Sequence, residues 1–149
     1  MTPQRFDEFD KTLLRMAGEL AKMSLATRSK VGALIVKDGR IVSMGWNGMP
    51  SGFPNDELEI TQADESIVTN SLVLHAEANA INKCATFQGS STEGATLYVT
   101  MSPCVECAKN IIGSRIKRVV FRDLYRIADS LDILARAKIE VSRIQTEEL

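Results

Sequence analysis

From Thr96 to Phe121 the chain reads TLYVTM, then CVECAKNIIGS, then IKRVVF: a β-rich run, a helical stretch and a second β-rich run. Two strands joined through a helix of about ten residues can pair in parallel, whereas a short turn returns the chain antiparallel. This unit commits the second half of the chain to crossover connections, with helices laid against a largely parallel sheet. A helix, AEANAINKCA, precedes it, and IADSLDILARAKIEVSRI adds a last helix and strand. Upstream, VGALIVKDGRIVSMGW gives two β-rich runs around an Asp-Gly pair, so residues 31–46 read as an antiparallel hairpin. Phe6, Phe9, Leu13, Met16 and Leu20 recur at spacings of three and four, one face of an opening helix that runs to about residue 25. The order α-β-β-α-β-α-β-α-β predicts an α/β fold, a three-layer α-β-α sandwich around a five-stranded mixed sheet.

Between the hairpin and the helix after it the periodicity stops. NGMPSGFPNDELEITQADESIVT holds two prolines, two glycines and five acidic residues. Irregular stretches beyond about 12–15 residues inside a compact domain are usually functional lids or disordered segments. Residues 47–72 are read as a lid-like insertion, with a helical turn the one regular element considered for it. The whole of 1–149 is expected to form a single domain.

The length of 149 residues allows a chain to bury roughly 70% of the surface its unfolded form exposes, enough for a core without staples. No run approaches the roughly 18 apolar residues of a membrane span, and MTPQRFDEFDK lacks the apolar stretch of a secretion signal. No membrane association and a cytoplasmic location are expected. Three cysteines, an odd number, favour metal binding or free thiols over a disulfide framework. A net charge of -1 provides no bulk cationic field for nucleic acid. One phosphate on a small substrate needs only one or two local cations.

The chemistry-bearing residues fall at two helix mouths. Cys104 and Cys107, preceded by Pro103, open one helix as Cys-x-x-Cys. That spacing turns two sulfurs toward one point, where the positive helix N-terminus favours thiolates. His75, the only histidine, opens the other helix, two residues before Glu77. Neighbouring parallel strands feed their helices from the same sheet edge, so the two mouths can meet at one metal. Three protein ligands are the number expected of a catalytic zinc that keeps its fourth position for water; a structural site normally takes four. Cys84 lies about nine residues into its helix, some 13 Å from the mouth, and is read as a packing residue. Glu77 is the candidate proton shuttle beside water activated by the metal. For a cytosine ring it would carry a proton to N3 as that water attacks C4, then assist the departure of ammonia. His-x-Glu alone is weak, and Cys-x-x-Cys alone is shared with redox and structural zinc sites. A thioredoxin-like role leaves His75 and Glu77 unexplained, whereas the combination with Pro-Cys-x-x-Cys is the signature of zinc deaminases.

On these residues the chain resembles the cytidine deaminase superfamily, and more closely its deoxycytidylate deaminases, including those of phages. The likeness runs through KVGALIV, GWNGMPSG, HAEANAI, LYVTMSPCVECAKNII and IKRVVF. HAE and PCVEC mark the superfamily; GWNGMPSG points to the deoxynucleotide branch. The resemblance implies a hydrolase acting on a cyclic amidine, converting dCMP to dUMP and ammonia and so supplying dUMP for thymidylate synthesis. It makes His75, Cys104 and Cys107 the ligands of one catalytic Zn2+ per chain and Glu77 the proton donor and acceptor. Asn47 is similar to the asparagine that holds the sugar, Tyr125 to a substrate-contacting tyrosine, and Ser102 to the segment facing the exocyclic amine. Arg28 is assigned to phosphate from its position alone. The branch also implies a homohexamer regulated by triphosphates with Mg2+, dCTP activating and dTTP inhibiting, with Gly45, Trp46, Asn47 and Gly48 resembling part of the regulatory site. Some phage relatives hold a second, structural zinc through histidine and cysteine in the insertion; this insertion contains neither.

Each of these residues also has a plain reading. Asn47 before Gly48 suits an ordinary turn, Tyr125 an interface or core, Arg28 with Lys30 a solvated loop, and Trp46 the core. The substrate could instead be dCTP, deoxycytidine, free cytosine or tRNA adenosine; the acidic balance lowers the last and GWNGMPSG lowers the free base. A zinc-stabilised binding module without turnover is the alternative of another class, and Glu77 discriminates against it, because a structural site has no use for a non-ligating carboxylate.

Overall fold

The computed structural model describes residues 1–125 and 129–149. Helix α1 (Pro3–Ala21) starts at Thr2, whose Oγ1 accepts from the Arg5 amide at 3.2 Å, and Pro3 stands where its missing N–H costs nothing. Its buried residues are Asp10, Leu13, Leu14, Ala17 and Ala21. This face is rotated from the expected one: Phe6 and Met16 are 46% and 41% exposed, while Phe9 and Leu20 only flank the core. The small residues face the sheet because the sheet comes so close. A Cβ on Gly32 would stand 2.0 Å from the Ala17 carbonyl oxygen. The helix also ends before residue 25, where the Ser24 hydroxyl donates to the Asn47 carbonyl at 2.8 Å and accepts from the Ala26 amide, leading the chain away.

Strands β1 (Gly32–Lys37) and β2 (Arg40–Trp46) form the expected hairpin. Asp38 and Gly39 both have positive φ, 52° and 76°, the requirement of the tight primed turn that suits right-twisted strands. In the insertion, β3 (Glu59–Thr61) and β4 (Ile67–Thr69) pair antiparallel as a separate small hairpin. The helical turn considered for this segment is not what forms there. Then follow α2 (Ala76–Thr86), β5 (Thr96–Met101), α3 (Val105–Gly113), β6 (Arg118–Asp123), α4 (Asp129–Arg136) and β7 (Glu140–Arg143). The last helix was expected to open at Ile127 and Ala128, which lie outside the described residues.

The main sheet has the order β2-β1-β5-β6-β7, with β1 antiparallel to both neighbours and β5, β6 and β7 parallel. The period-two alternation of strands divides its side chains between two cores. Leu34, Val36, Tyr98 and Val120 pack under α1. Ala33, Ile35, Leu97, Val99, Val119 and Phe121 pack on the other face with residues of α2, α3 and α4. This is the three-layer sandwich with its five-stranded mixed sheet. Because β1 alone runs against the other four, β2, β5, β6 and β7 all end at the edge where β1 begins. The loops after Trp46, Met101 and Asp123 and the loop before Gly32 therefore share one edge.

Candidate active site

At that edge two helix N-termini face one another. His75 is the N-cap of α2 and Cys104 the N-cap of α3, both with extended backbone. His75 is delivered by an antiparallel bridge in which Gly48 and Leu74 exchange backbone hydrogen bonds of 3.1 and 2.8 Å. Asn79, in the first turn of α2, donates to the Trp46 carbonyl at 2.7 Å, tying the helix mouth to the end of β2. The approach of β2 to α2 needs Gly45, where a Cβ would meet the Ala76 oxygen at 2.6 Å and the Ala80 nitrogen at 2.7 Å. On the other side, the Ser102 amide donates to the Asp123 carbonyl at 2.8 Å, joining the ends of β5 and β6 just ahead of Cys104.

The donor atoms of His75, Cys104 and Cys107 lie within 4.8 Å of one another, the one such group of three or more metal-ligating side chains among the described residues. His75 Nδ1 is 3.3 Å from Cys107 Sγ and 3.5 Å from Cys104 Sγ. Hydrogen bonds from Cys107 and His75 pull the Cys104 thiol well below the usual thiol range, favouring its thiolate form. The neighbouring Cys107 is pushed up, first by sharing its proton with Cys104 and then by burial. His75 is raised above the ordinary imidazole range, chiefly by its hydrogen bond to Cys104. Two sulfurs and an imidazole thus crowd around shared protons that a divalent cation would replace, since a coordinated thiol is deprotonated outright. A soft donor set of this kind, with three protein ligands, fits zinc with one open position. Cys84 is buried elsewhere on α2, 1% exposed, as expected of a packing residue.

Glu77, 4% exposed, stands in the first turn of α2 beside these donors. Burial raises its carboxyl above the usual carboxylate range, a state suited to holding a proton and giving it up. The group opens onto a cavity of about 420 Å³ whose wall includes Glu77, His75, Cys104 and every residue expected to touch substrate: Arg28, Asn47, Ser102 and Tyr125.

Two of those residues also hold the structure together. The Asn47 carboxamide accepts from the Val31 amide at 2.9 Å and donates to the Ser29 carbonyl at 2.8 Å, clamping the loop before β1. Ser102 Oγ accepts from the Tyr125 amide at 2.6 Å, fixing that residue at the cavity wall. The four residues Gly45, Trp46, Asn47 and Gly48 do not form one surface. Gly45 packs on α2 and Asn47 faces the first cavity. Trp46 and Gly48 line a second cavity of about 550 Å³ with Asn55, Asn79 and Lys83. There Lys83 Nζ sits 4.6 Å from the centre of the Trp46 ring, a cation–π contact. Leu58, Glu59 and Thr69 of the insertion also reach the first cavity. Reasoning from sequence missed all three, because three-residue strands leave no periodic signal.

Residues 7–123 match the family described as the cytidine and deoxycytidylate deaminase zinc-binding region. The deoxycytidylate deaminase of Enterobacteria phage T4 is 35% identical, aligned over 93% of this chain and 91% of its own length. The human deoxycytidylate deaminase is 39% identical over 82% of this chain and 69% of its own. Among solved structures, the dCMP deaminase of cyanophage S-TIM5 in complex with dCMP and dUMP superposes with a TM-score of 0.85 at 40% identity, covering 97% of this chain and 99% of that one.

Proposed function

The chain belongs to the cytidine and deoxycytidylate deaminase family, and from that membership we propose that it hydrolyses dCMP to dUMP and ammonia. The observation that carries the proposal is one cavity lined by His75 and Cys104 of the donor group, by the buried Glu77 and by Arg28, with Cys107 buried behind them within 4.8 Å of the other two donors. The wall combines a place for deamination with a guanidinium for a phosphate. Likeness to the phage enzyme solved with dCMP and dUMP supports the same substrate and product.

His75 Nδ1 and the sulfurs of Cys104 and Cys107 would hold one zinc per chain. Zinc held there supplies a Lewis acid that brings water's ionisation to about pH 7. Glu77 accepts the proton of the attacking water and delivers it to N3 of the cytosine ring as the new C4–O bond forms. The same carboxyl then takes the proton of the new C4 hydroxyl and passes it to the exocyclic nitrogen, so the C4–N bond breaks, ammonia leaves and C4 becomes the carbonyl of uracil. Asn47 would meet the sugar through the hydrogen-bonding capacity left after its bonds to Ser29 and Val31, Ser102 and Tyr125 would meet the base end, and Arg28 the phosphate.

The finer parts of this reading follow the family. The second cavity, around Trp46, Gly48 and Lys83, would take a regulatory triphosphate with Mg2+, dCTP activating and dTTP inhibiting. It adjoins the substrate cavity through Asn47, so an occupant could shift how the sugar is held. A homohexamer would cover the apolar side chains that the insertion exposes, Phe53, Ile60, Ile67 and Leu72. Residues 1–149 act as one deaminase domain in this reading. No described helix is long and apolar enough to cross a membrane. Cysteines kept reduced for zinc suit the cytoplasm, that of the host cell for a phage product.

The test is uracil formation from dCMP, dCTP, cytidine and deoxycytidine supplied separately, with dCMP saturation repeated in the presence of dCTP or dTTP. The proposal expects dCMP to be turned over far ahead of the others, activation by dCTP and inhibition by dTTP. Preference for deoxycytidine or dCTP would replace the assigned substrate, and hyperbolic curves indifferent to both triphosphates would remove the regulatory part.

A further inference from the structure

Resting on the reading of the substrate as a nucleoside monophosphate, we propose that Glu59 is a positioning residue, through which the inserted hairpin sets the loop that receives the phosphate. Glu59 Oε1 accepts from two successive backbone amides, Thr27 at 2.8 Å and Arg28 at 3.1 Å. Both lie in the loop before β1, and Arg28 is the one arginine lining the cavity among the described residues. The loop is stitched at both ends by other groups. Ser24 holds its start through Ala26 and the Asn47 carbonyl, and the Asn47 carboxamide holds its end through Ser29 and Val31. Between these stitches only the Glu59 carboxylate engages the Thr27 and Arg28 amides among the described hydrogen bonds. A carboxylate accepting two N–H groups makes strong, charge-assisted hydrogen bonds that fix the backbone from which the Arg28 side chain departs.

The carboxylate could instead be a plug, an anion resting where a phosphate would go and leaving when one arrives. The base of the hairpin argues against that. Leu58, the adjacent residue, is 3% exposed and lines the cavity, so withdrawing Glu59 would drag an apolar side chain out of its seat. Asn70, just past the end of β4, braces the same point from the other side of the hairpin. Its amide donates to the Leu58 carbonyl and its Nδ2 to the Glu57 carbonyl, both at 2.9 Å, while its Oδ1 accepts from the Leu72 amide at 3.0 Å. Glu59 is thus presented by a braced segment, and the loop that carries Arg28 conforms to it.

Binding of the products dUMP and deoxyuridine, which are not turned over, isolates this role by calorimetry. Glu59→Ala is expected to weaken dUMP about tenfold and leave deoxyuridine unchanged, with zinc content and thermal midpoint near wild type. Glu59→Gln, which keeps an acceptor oxygen, should recover most of the dUMP affinity. Tighter dUMP binding by Glu59→Ala would establish the plug instead. Equal weakening of both ligands, or no change in either, would also overturn the assignment. Wild-type protein that binds dUMP no better than deoxyuridine would defeat the monophosphate reading itself, an outcome the wild type reports before any variant is made.

Discussion

Glu77→Gln is expected to retain its zinc and to release ammonia from dCMP about 10²- to 10⁴-fold more slowly than the wild type, the range that general acid–base catalysis supplies. Gln matches Glu in shape, so the first turn of α2 and the donor group beside it keep their packing. What it cannot do is accept a proton from water or hand one to N3. Glu77 is itself only 4% exposed, so the substituted amide keeps the packing of the carboxyl it replaces. Metal analysis and the rate are measured on the same preparation. Full turnover with zinc retained would remove Glu77 from the mechanism. Loss of zinc along with turnover would make it a metal-site residue and leave its proton role without support.

The largest expected effect on stability comes from Asp10, on the opposite face of the sheet. Its carboxylate accepts from Arg118 Nη1 at 2.9 Å and Nη2 at 2.5 Å and from the Tyr98 hydroxyl at 2.6 Å, joining α1, β5 and β6. All three residues are buried, at 4%, 8% and 2% exposure, and the Phe6 ring covers the guanidinium 5.0 Å away. Burial and the bond to Asp10 push the Tyr98 hydroxyl above its usual range, so it stays a donor. Asp10→Ala leaves a buried phenol without its acceptor and the Arg118 guanidinium with only Glu140, whose Oε1 is 3.4 Å from Nε, a loss of about 3 kcal/mol, the low end for breaking a buried pair. Against a total of about 5–15 kcal/mol that is a large fraction, and the melting midpoint should fall on the order of 10 °C. Asp10→Asn keeps an acceptor and should lose less. Because the network is remote from the cavity wall, activity per folded molecule should be retained. A midpoint within a degree or two of wild type would show that the network contributes specificity without stability.

Features set by local spacing were legible in the sequence. Cys104 and Cys107 are three apart at a helix start and His75 and Glu77 two apart at another. The strand directions bring both starts to one sheet edge, but β1 lies between β2 and β5, and the Gly48–Leu74 bridge that delivers His75 has no mark in the sequence. Strand and helix periods recover the five-stranded sheet because its central strands β1, β5 and β6 are apolar on both faces, while β2 is placed by its Asp-Gly turn and β7 by the helix before it. Where contacts are long-range or made by small residues, the pattern misled. On α1 the large residues Phe6 and Met16 mark a stripe that is not the buried one, because the close approach to Gly32 selects Ala17 and Ala21. Asp10 meets Arg118 across 108 positions, and nothing near either marks the pair. Glu59 reaches backbone amides 31 and 32 residues away, and any residue carries such an amide. The insertion's strands of three residues are too short for alternation to register.

Zinc K-edge X-ray absorption on the purified protein bears most directly on the convergence of His75, Cys104 and Cys107. One zinc per chain is expected, with two sulfur scatterers, one imidazole and one further light atom, and with one sulfur gone in Cys107→Ala if any metal remains. A four-sulfur shell, two zincs per chain, or a spectrum unmoved by Cys107→Ala would contradict the site.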